Sequence, residues 1–278
     1  MLVEVEVDAD DVDLVSGRLW LAGAVAIEEV ARPDGRVRLR TTTGHPADVD
    51  RLVDAVAPTY PVTLVPLHDD TWTDAWRAHA RAHRAGEHLI VCPAWVDVGD
   101  ELEPTEHDVV IRFDPGRAFG SGAHPSTRLA LAGLERGVTE GATVLDVGCG
   151  SGVLSLAAAA LGAARVAALD VDPEAVRTTQ ANVDAADLGD VVHVAATPVA
   201  EVAGRFDVVV ANILAVVLRD LAGDLVARVA PGGRLVLAGA LEDQAPALLE
   251  AFGDLELAQR HELDGWVGLE LAAPDGWR

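Results

Sequence analysis

The run Val144-Leu-Asp-Val-Gly-Cys-Gly-Ser-Gly152 carries the strongest chemical signal in this chain. It joins an apolar strand pattern to a helix of small residues through three closely spaced glycines. Glycines let a backbone turn sharply and approach a ligand closely. A strand before such a turn and a helix after it are the context that a nucleoside-binding turn requires. A dinucleotide-binding turn wants a further glycine or small residue one position later, where this chain has Val153. Asp146 lies inside the run, where a carboxylate would repel a pyrophosphate and welcome a cationic ligand. The run therefore points away from nicotinamide dinucleotides and towards a nucleoside that carries positive charge.

Asp170 lies 24 residues after Asp146, at the end of the next strand pattern. An acidic residue there accepts hydrogen bonds from both ribose hydroxyls. Asp172, just before Pro173, reads instead as a helix N-cap. Asn212 ends the apolar run Phe206-Asp-Val-Val-Val-Ala-Asn212. Ligands in open α/β sheets bind beyond such strand ends. Asn212 is a candidate to hold the amino-acid part of a cofactor or an incoming amine, and equally a candidate cap for the helix near Leu214. The loop Phe113-Asp-Pro-Gly-Arg-Ala-Phe-Gly-Ser-Gly-Ala-His-Pro-Ser-Thr127 is long and glycine-rich, and such loops are more often functional than plain connectors. Thr127 offers a hydroxyl, and His124 shapes the loop or acts at the site. Together these features indicate S-adenosylmethionine. The candidate cofactor-binding residues are Thr127, Asp146, Gly148, Gly150, Asp170 and Asn212, and the candidate catalytic residues are Asn212 and His124.

These residues need a scaffold, and the patterns supply one. From 143 onward, strands (143–147, 165–170, 191–196, 206–212, 234–238) alternate with helices (151–161, 173–186, 214–229, 242–252). The helix over 214–229 is expected to stop at Pro231-Gly-Gly233. Alternation of this kind builds a parallel sheet. A final hairpin, 255–261 and 266–271, adds antiparallel strands at one edge. Residues 1–66 read strand, helix, strand, strand, helix, strand, the ferredoxin-like order. Residues 70–88 read as a short amphipathic connecting helix with Trp72, Trp76, His79, His83 and His88, followed by strands over 89–94 and 109–113. The expected fold is α/β: a seven-stranded Rossmann-like domain over 91–278, a small α+β domain over 1–66, and a helical linker over 67–90.

No metal site is expected. His79 and His83 are four apart, but no glutamate stands between them and no third ligand is evident. Cys149 reads as a packing residue, and with Cys92 it forms no disulfide framework, so a reducing cytosol is expected. No apolar run approaches the roughly 18 residues of a membrane span. The acidic, alternating start reads as a strand and not as a secretion signal. Net charge is −24, and all 21 basic residues are arginine. Such a surface repels phosphate backbones, so direct nucleic-acid binding is not expected, and it would attract a basic partner, while solubility or a salt-adapted or GC-biased proteome accounts for the charge more simply and charge alone names no partner.

The loop 119–127, the run 146–152, Asp170-Val-Asp-Pro173 and Asn212-Ile-Leu214 together resemble the signature of the ribosomal protein L-eleven methyltransferases, the PrmA family. Trp72, Trp76 and Val91-Cys-Pro-Ala-Trp95 resemble the region between that family's domains. The resemblance implies an S-adenosylmethionine-dependent methyltransferase acting on lysine side chains, the terminal amino group or both of a basic ribosomal protein. It implies cofactor contacts at Thr127, Gly148, Asp170 and Asn212, and an amino-terminal domain that grips the substrate. A cytoplasmic monomer is expected. Two other readings stay open: a methyltransferase of another protein lysine or a small molecule, and a nucleoside-binding module without catalysis.

Overall fold

The computed structural model describes residues 2–32, 34–43, 49–65, 81–100, 102–116 and 122–274. The chain divides into two compact units, residues 1–78 and 79–278. No helix among the described residues is long and apolar enough to cross a membrane.

The amino-terminal unit has strands β1 (Leu2–Asp8), β2 (Ala24–Ala31), β3 (Arg36–Thr43) and β4 (Val62–Val65), with helices α1 (Val12–Leu21) and α2 (Val49–Val56). Its sheet order is β2-β3-β1-β4, with β1 antiparallel to both neighbours. Period-two alternation on β1 sends Val3, Val5 and Val7 into the core, where Val15, Leu19, Leu52 and Val56 from the helices meet them. Glu4 and Glu6 therefore point to the other face. There they meet Arg38 and Arg40 of the neighbouring strand, at 2.6 Å for Arg38–Glu6 and 3.0 Å for Arg40–Glu4.

The second unit opens with β5 (His83–Arg84), β6 (Leu89–Pro93) and β7 (Val109–Phe113), a separate three-stranded sheet. The connecting helix expected over 70–88 does not continue through 81–88. There His83 and Arg84 pair with Val91 and Ile90 of β6. The Ala85 N–H goes to Leu89 O, and Glu135 takes the backbone N–H groups of Glu87 and His88 at 2.6 and 2.5 Å. Donors spent on β6 and Glu135 are lost to any helical ladder. Arg84 also grips Asp108 with both terminal nitrogens, at 2.5 and 2.8 Å, and holds that carboxyl well below the usual carboxylate range. Trp72, Trp76 and His79 lie outside the described residues.

The large sheet contains β8 (Thr143–Val147), β9 (Arg165–Leu169), β10 (Val192–Ala195), β11 (Phe206–Asn212), β12 (Val229–Leu241), β13 (Glu256–Leu263) and β14 (Trp266–Ala272). The order is β10-β9-β8-β11-β12-β14-β13. Five strands run parallel, and the last hairpin joins antiparallel through β14. This seven-stranded mixed α/β sheet agrees with the expected Rossmann-like organisation. The order reverses between β8 and β11, and that switch point is where open sheets bind ligands. Helices α3 (Pro125–Gly137), α4 (Val153–Ala160) and α5 (Pro173–Ala185) follow the pattern. On one face Val144, Val208, Val210 and Val236 pack with residues of α3 and α4, and Leu145, Val209, Leu235 and Leu237 belong to a second core on the opposite face.

Two expectations for the second half need correction. The single helix over 214–229 is two helices, α6 (Ala215–Asp220) and α7 (Ala222–Ala227), broken at Leu221 (φ −93°, ψ 4°). Pro231-Gly-Gly233 does not end that helix but lies inside β12. Val229 pairs with Phe206 and Arg234 with Val208, so the segment bulges out of the ladder between those pairs. A bulge is where a strand tolerates proline, which has no N–H to give. Helix α8 (Ala245–Ala251) then leads to the hairpin.

Candidate active site

The glycine turn sits at the carboxyl end of β8. Gly148, Gly150 and Gly152 all have positive φ, at 80°, 56° and 85°. A side chain at Gly148 would also strike Ile213, with its Cβ 2.3 Å from Ile213 Cγ2. The turn is tied to β9, because Leu169 O accepts the N–H groups of Gly148 and Cys149 at 2.8 and 2.9 Å. Asp170 completes the tie: its Oδ2 accepts the Gly150 N–H and its Oδ1 the Asp172 N–H, both at 2.9 Å. Two backbone donors thus fix this carboxylate at the strand end. Asp172 caps α5 by accepting the Glu174 N–H at 2.9 Å, as its position before Pro173 indicated.

Asp146 stands lower than the sequence suggested. It is the fourth residue of β8, not part of the exposed turn, and it is fully buried. Ser155 of α4 donates its hydroxyl to Oδ2 at 2.6 Å, while Oδ1 has no partner. Burial pushes the carboxyl up to about 7, the Ser155 bond opposes this, and the charge of Asp170 adds to it. On β11 the register pairs Val210 with Asp146, so Asn212 lies two residues further along the same face. Asn212 is buried, and its Nδ2 donates to Thr127 Oγ1 at 3.2 Å. Its Oδ1 also has no partner. Asn212 does not cap α6, whose N-cap is Leu214 with no side-chain bond. Gly239 (φ 88°) permits this crowding: a Cβ there would lie 2.3 Å from Ile213 O.

His124 is the N-cap of α3. Its Nδ1 accepts the Ser126 N–H at 3.3 Å and lies 2.8 Å from Ser126 Oγ. Burial lowers its pKa. Cys149 is buried, and burial first, then Asp146, raises its pKa, so it stays a thiol with a packing role.

Three supporting residues stand outside the candidates that the sequence offered. Asn182 of α5 bonds Asp114 O at 2.7 Å, Ser151 O at 2.9 Å and Asp114 N at 2.9 Å, stitching the long loop to the glycine turn. Thr179 donates to Gly150 O at 2.9 Å. Ser155, the one polar residue in the helix Val-Leu-Ser-Leu-Ala-Ala-Ala-Ala, was the legible case. A hydroxyl amid apolar neighbours usually has a buried partner.

The residues present fit S-adenosylmethionine. Asp146 Oδ1 and Asn212 Oδ1 are buried acceptors without donors, on neighbouring strands at the switch point. Leaving each one unmade costs about 1–3 kcal/mol. The charged group acting on Asp146 is another carboxylate, Asp170. Such a site is chemically suited to a ligand that brings N–H donors and positive charge.

The family model for ribosomal protein L11 methyltransferase (PrmA) matches residues 45–273. The chain belongs to that family. The ribosomal protein L11 methyltransferase of Citrifermentans bemidjiense is 42% identical over 220 residues, covering 77% of this chain and 71% of that protein. The one from Pelotomaculum thermopropionicum is 40% identical over 260 residues, covering 88% and 82%. A crystal structure of ribosomal protein L11 methylase from Lactobacillus delbrueckii subsp. bulgaricus superposes with a TM-score of 0.63 at 33% identity, covering 70% of this chain and 99% of that one.

Proposed function

We propose that this chain transfers a methyl group from S-adenosylmethionine to amines of ribosomal protein L11, on lysine side chains, the terminal amino group or both. The observation that carries this is the pair of buried, donorless acceptors, Asp146 Oδ1 and Asn212 Oδ1, beside Asp170 in a member of this family. The cofactor supplies a methyl group on a positively charged sulfur.

The chain's own residues bind and orient. Asp170, held by two backbone donors, accepts from ribose hydroxyls. Asp146 and Asn212 accept from ammonium or amine N–H groups, and Thr127 fixes the Asn212 amide. Alignment of nucleophile, methyl and leaving group supplies most of the rate in such a displacement. The amine must arrive neutral, which costs a free lysine about 4–5 kcal/mol at pH 7. Desolvation and the nearby positive sulfur lower that cost. With the cofactor bound, the new N–C bond would form as the methyl–sulfur bond broke, with its electron pair left on sulfur and the positive charge passed to nitrogen. Charge therefore leaves sulfur without needing a side-chain base during transfer.

The amino-terminal unit reads as ferredoxin-like on its strand order and two helices. We assign residues 1–66 to substrate recognition, 67–90 to a linker and 91–278 to catalysis. A charge of −24 suits a basic protein partner and disfavours direct nucleic-acid binding. We place the enzyme in the cytoplasm as a monomer. The test is incubation of purified ribosomal protein L11 with the chain and S-adenosylmethionine, read by intact mass. The chain has no lysine, so methyl-lysine in the digest comes from the substrate. Additions of about 14 Da per methyl are expected. An unchanged mass together with normal cofactor binding would favour another substrate, and no cofactor binding would favour a non-catalytic module.

A further inference from the structure

Large apolar side chains face water where β11 and β12 leave the sheet. Leu214 is 67% exposed, Val216 59% and Leu241 42%. Single exposed apolar residues are ordinary, but a group of them bordered by polar residues marks an interaction site. Leu214 stands two residues beyond Asn212, at the head of α6. That helix gives Ala215 and Leu218 to the core and leaves Val216 outside. Asn212 pairs with Ala238 of β12, and Ile213 lies against the next residue of that strand, Gly239, where a Cβ would be 2.3 Å from Ile213 O. The two strand ends therefore leave side by side, one leading to Leu214 and the other to Leu241. Leu241 in turn pairs with Trp266 of β14, whose indole meets the His124 ring edge-to-face with centroids 4.6 Å apart.

Acids border this rim. Glu242 and Asp243 follow Leu241 directly. Asp264 lies in the β13–β14 turn, where Gly265 O accepts the Glu242 N–H at 3.1 Å and so holds the two segments together. All three carboxylates are exposed, and none has an ion-pair partner among the described residues. Arg260 of the same hairpin is committed to Glu262, and Arg219 of α6 is followed by Asp220, which offsets its charge.

We propose that this rim is where the catalytic unit receives a lysine-bearing segment of a basic protein: Leu214, Val216 and Leu241 take the aliphatic stem of the lysine and its apolar neighbours, and Glu242, Asp243 and Asp264 take the basic residues that flank it. A lysine packs its stem along apolar surface while its charged head seeks polar groups. Unpaired acids at a rim steer a basic partner and select against acidic ones. They repel a nucleic acid and, in a chain of net charge −24, a second copy of the chain. The proposal rests on the reading of a protein amine as methyl acceptor, and adds a second reading surface to that assigned to residues 1–66.

The test is methylation of purified ribosomal protein L11 by the full chain at saturating S-adenosylmethionine. In Glu242→Arg/Asp243→Arg, KM for the protein should rise on the order of ten-fold, with kcat and cofactor Kd within about two-fold of wild type, because rim charges act on association. Wild-type KM should rise with salt, and that dependence should shrink in the variant. Leu214→Ser/Leu241→Ser should raise KM by roughly five-fold with the salt dependence kept, since it removes apolar contact alone. Asp190→Arg/Glu256→Arg makes the same change of net charge at the amino end of the sheet, and should leave KM within about two-fold of wild type. Unchanged KM in both rim variants, an equal rise in the control, or a fall in kcat with lost cofactor binding overturns the proposal. So does a wild-type dimer in light scattering that Leu214→Ser/Leu241→Ser dissolves, which would give the rim to a second copy. Ribosomal protein L11 left unmethylated by the wild-type chain is a separate failure, of the functional reading beneath, and the proposal falls with it.

Discussion

The amino-terminal sheet and the seven-stranded sheet treat buried and half-buried polar groups in opposite ways. On the open face of the amino-terminal sheet, Glu4, Glu6, Arg38 and Arg40 neutralise one another across neighbouring strands, and Glu28 extends the ladder through Arg40 at 2.9 Å. At the carboxyl ends of β8 and β11, Asp146 and Asn212 are more deeply buried, yet each keeps an oxygen without a donor. Cross-strand ion pairs of the first kind contribute little and specify pairing. Incomplete satisfaction of the second kind is costly and persists where a ligand completes it. Glu270 is the instructive intermediate. It too is buried with one unpartnered oxygen, but Arg136 grips the other at 2.5 and 2.8 Å, so its charge is balanced and it fastens β14 to α3.

The sharpest way to break this contrast is Asp170→Ala. It removes the acceptor for the Gly150 and Asp172 N–H groups as well as the ribose contact, and calorimetry should show cofactor affinity falling at least about 100-fold, equivalent to two charged hydrogen bonds. Asn212→Ala should lower kcat/KM by on the order of 100-fold in the methylation assay, with a smaller loss of stability, because it removes a positioning acceptor.

Asp146 tests the contrast through pH. Its native pKa of about 7 stands above the ordinary carboxylate value, so the folded state binds more protons than the unfolded state between those two values. Stability of the cofactor-free chain should therefore fall as pH rises from about 4 to 7 on account of this group. If the ligand selects the ionised form, cofactor affinity should rise about ten-fold from pH 6 to pH 8. Asp146→Asn should flatten both profiles, and a slope that survives in this variant would assign the effect elsewhere. Asn182→Ala should cost about 2–3 kcal/mol in denaturant unfolding, since it strands buried partners on two loops. Smallest of all, Arg38→Ala should leave cofactor affinity unmoved and shift the denaturant midpoint only slightly, an effect that shrinks in high salt.

Much of the large unit was legible in the sequence because its signals are local. A period-two or continuous apolar run makes a strand, a small-residue run after glycines makes a helix, and Pro173 marks a helix start. Asp170 and the glycine turn are also local, since they belong to consecutive β-strands that pair side by side. The errors fell where neighbours overrode local pattern. Residues 81–88 gave their donors to β6 and Glu135, and Pro231-Gly-Gly233 became a bulge because β12 continued on both sides of it.

What the sequence by itself determined is the alternation of elements, the glycine turn with its two carboxylates, and the residue types available at each strand end. Only the tertiary structure decided which of them meet. Asn212 and Thr127 are 85 residues apart, and Asn182 and Asp114 are 68 apart. Trp266 reaches His124 through a hairpin that pairs beside β12. Strand order and register set those meetings, and both are fixed by the burial of two faces of one sheet, a property no single segment contains.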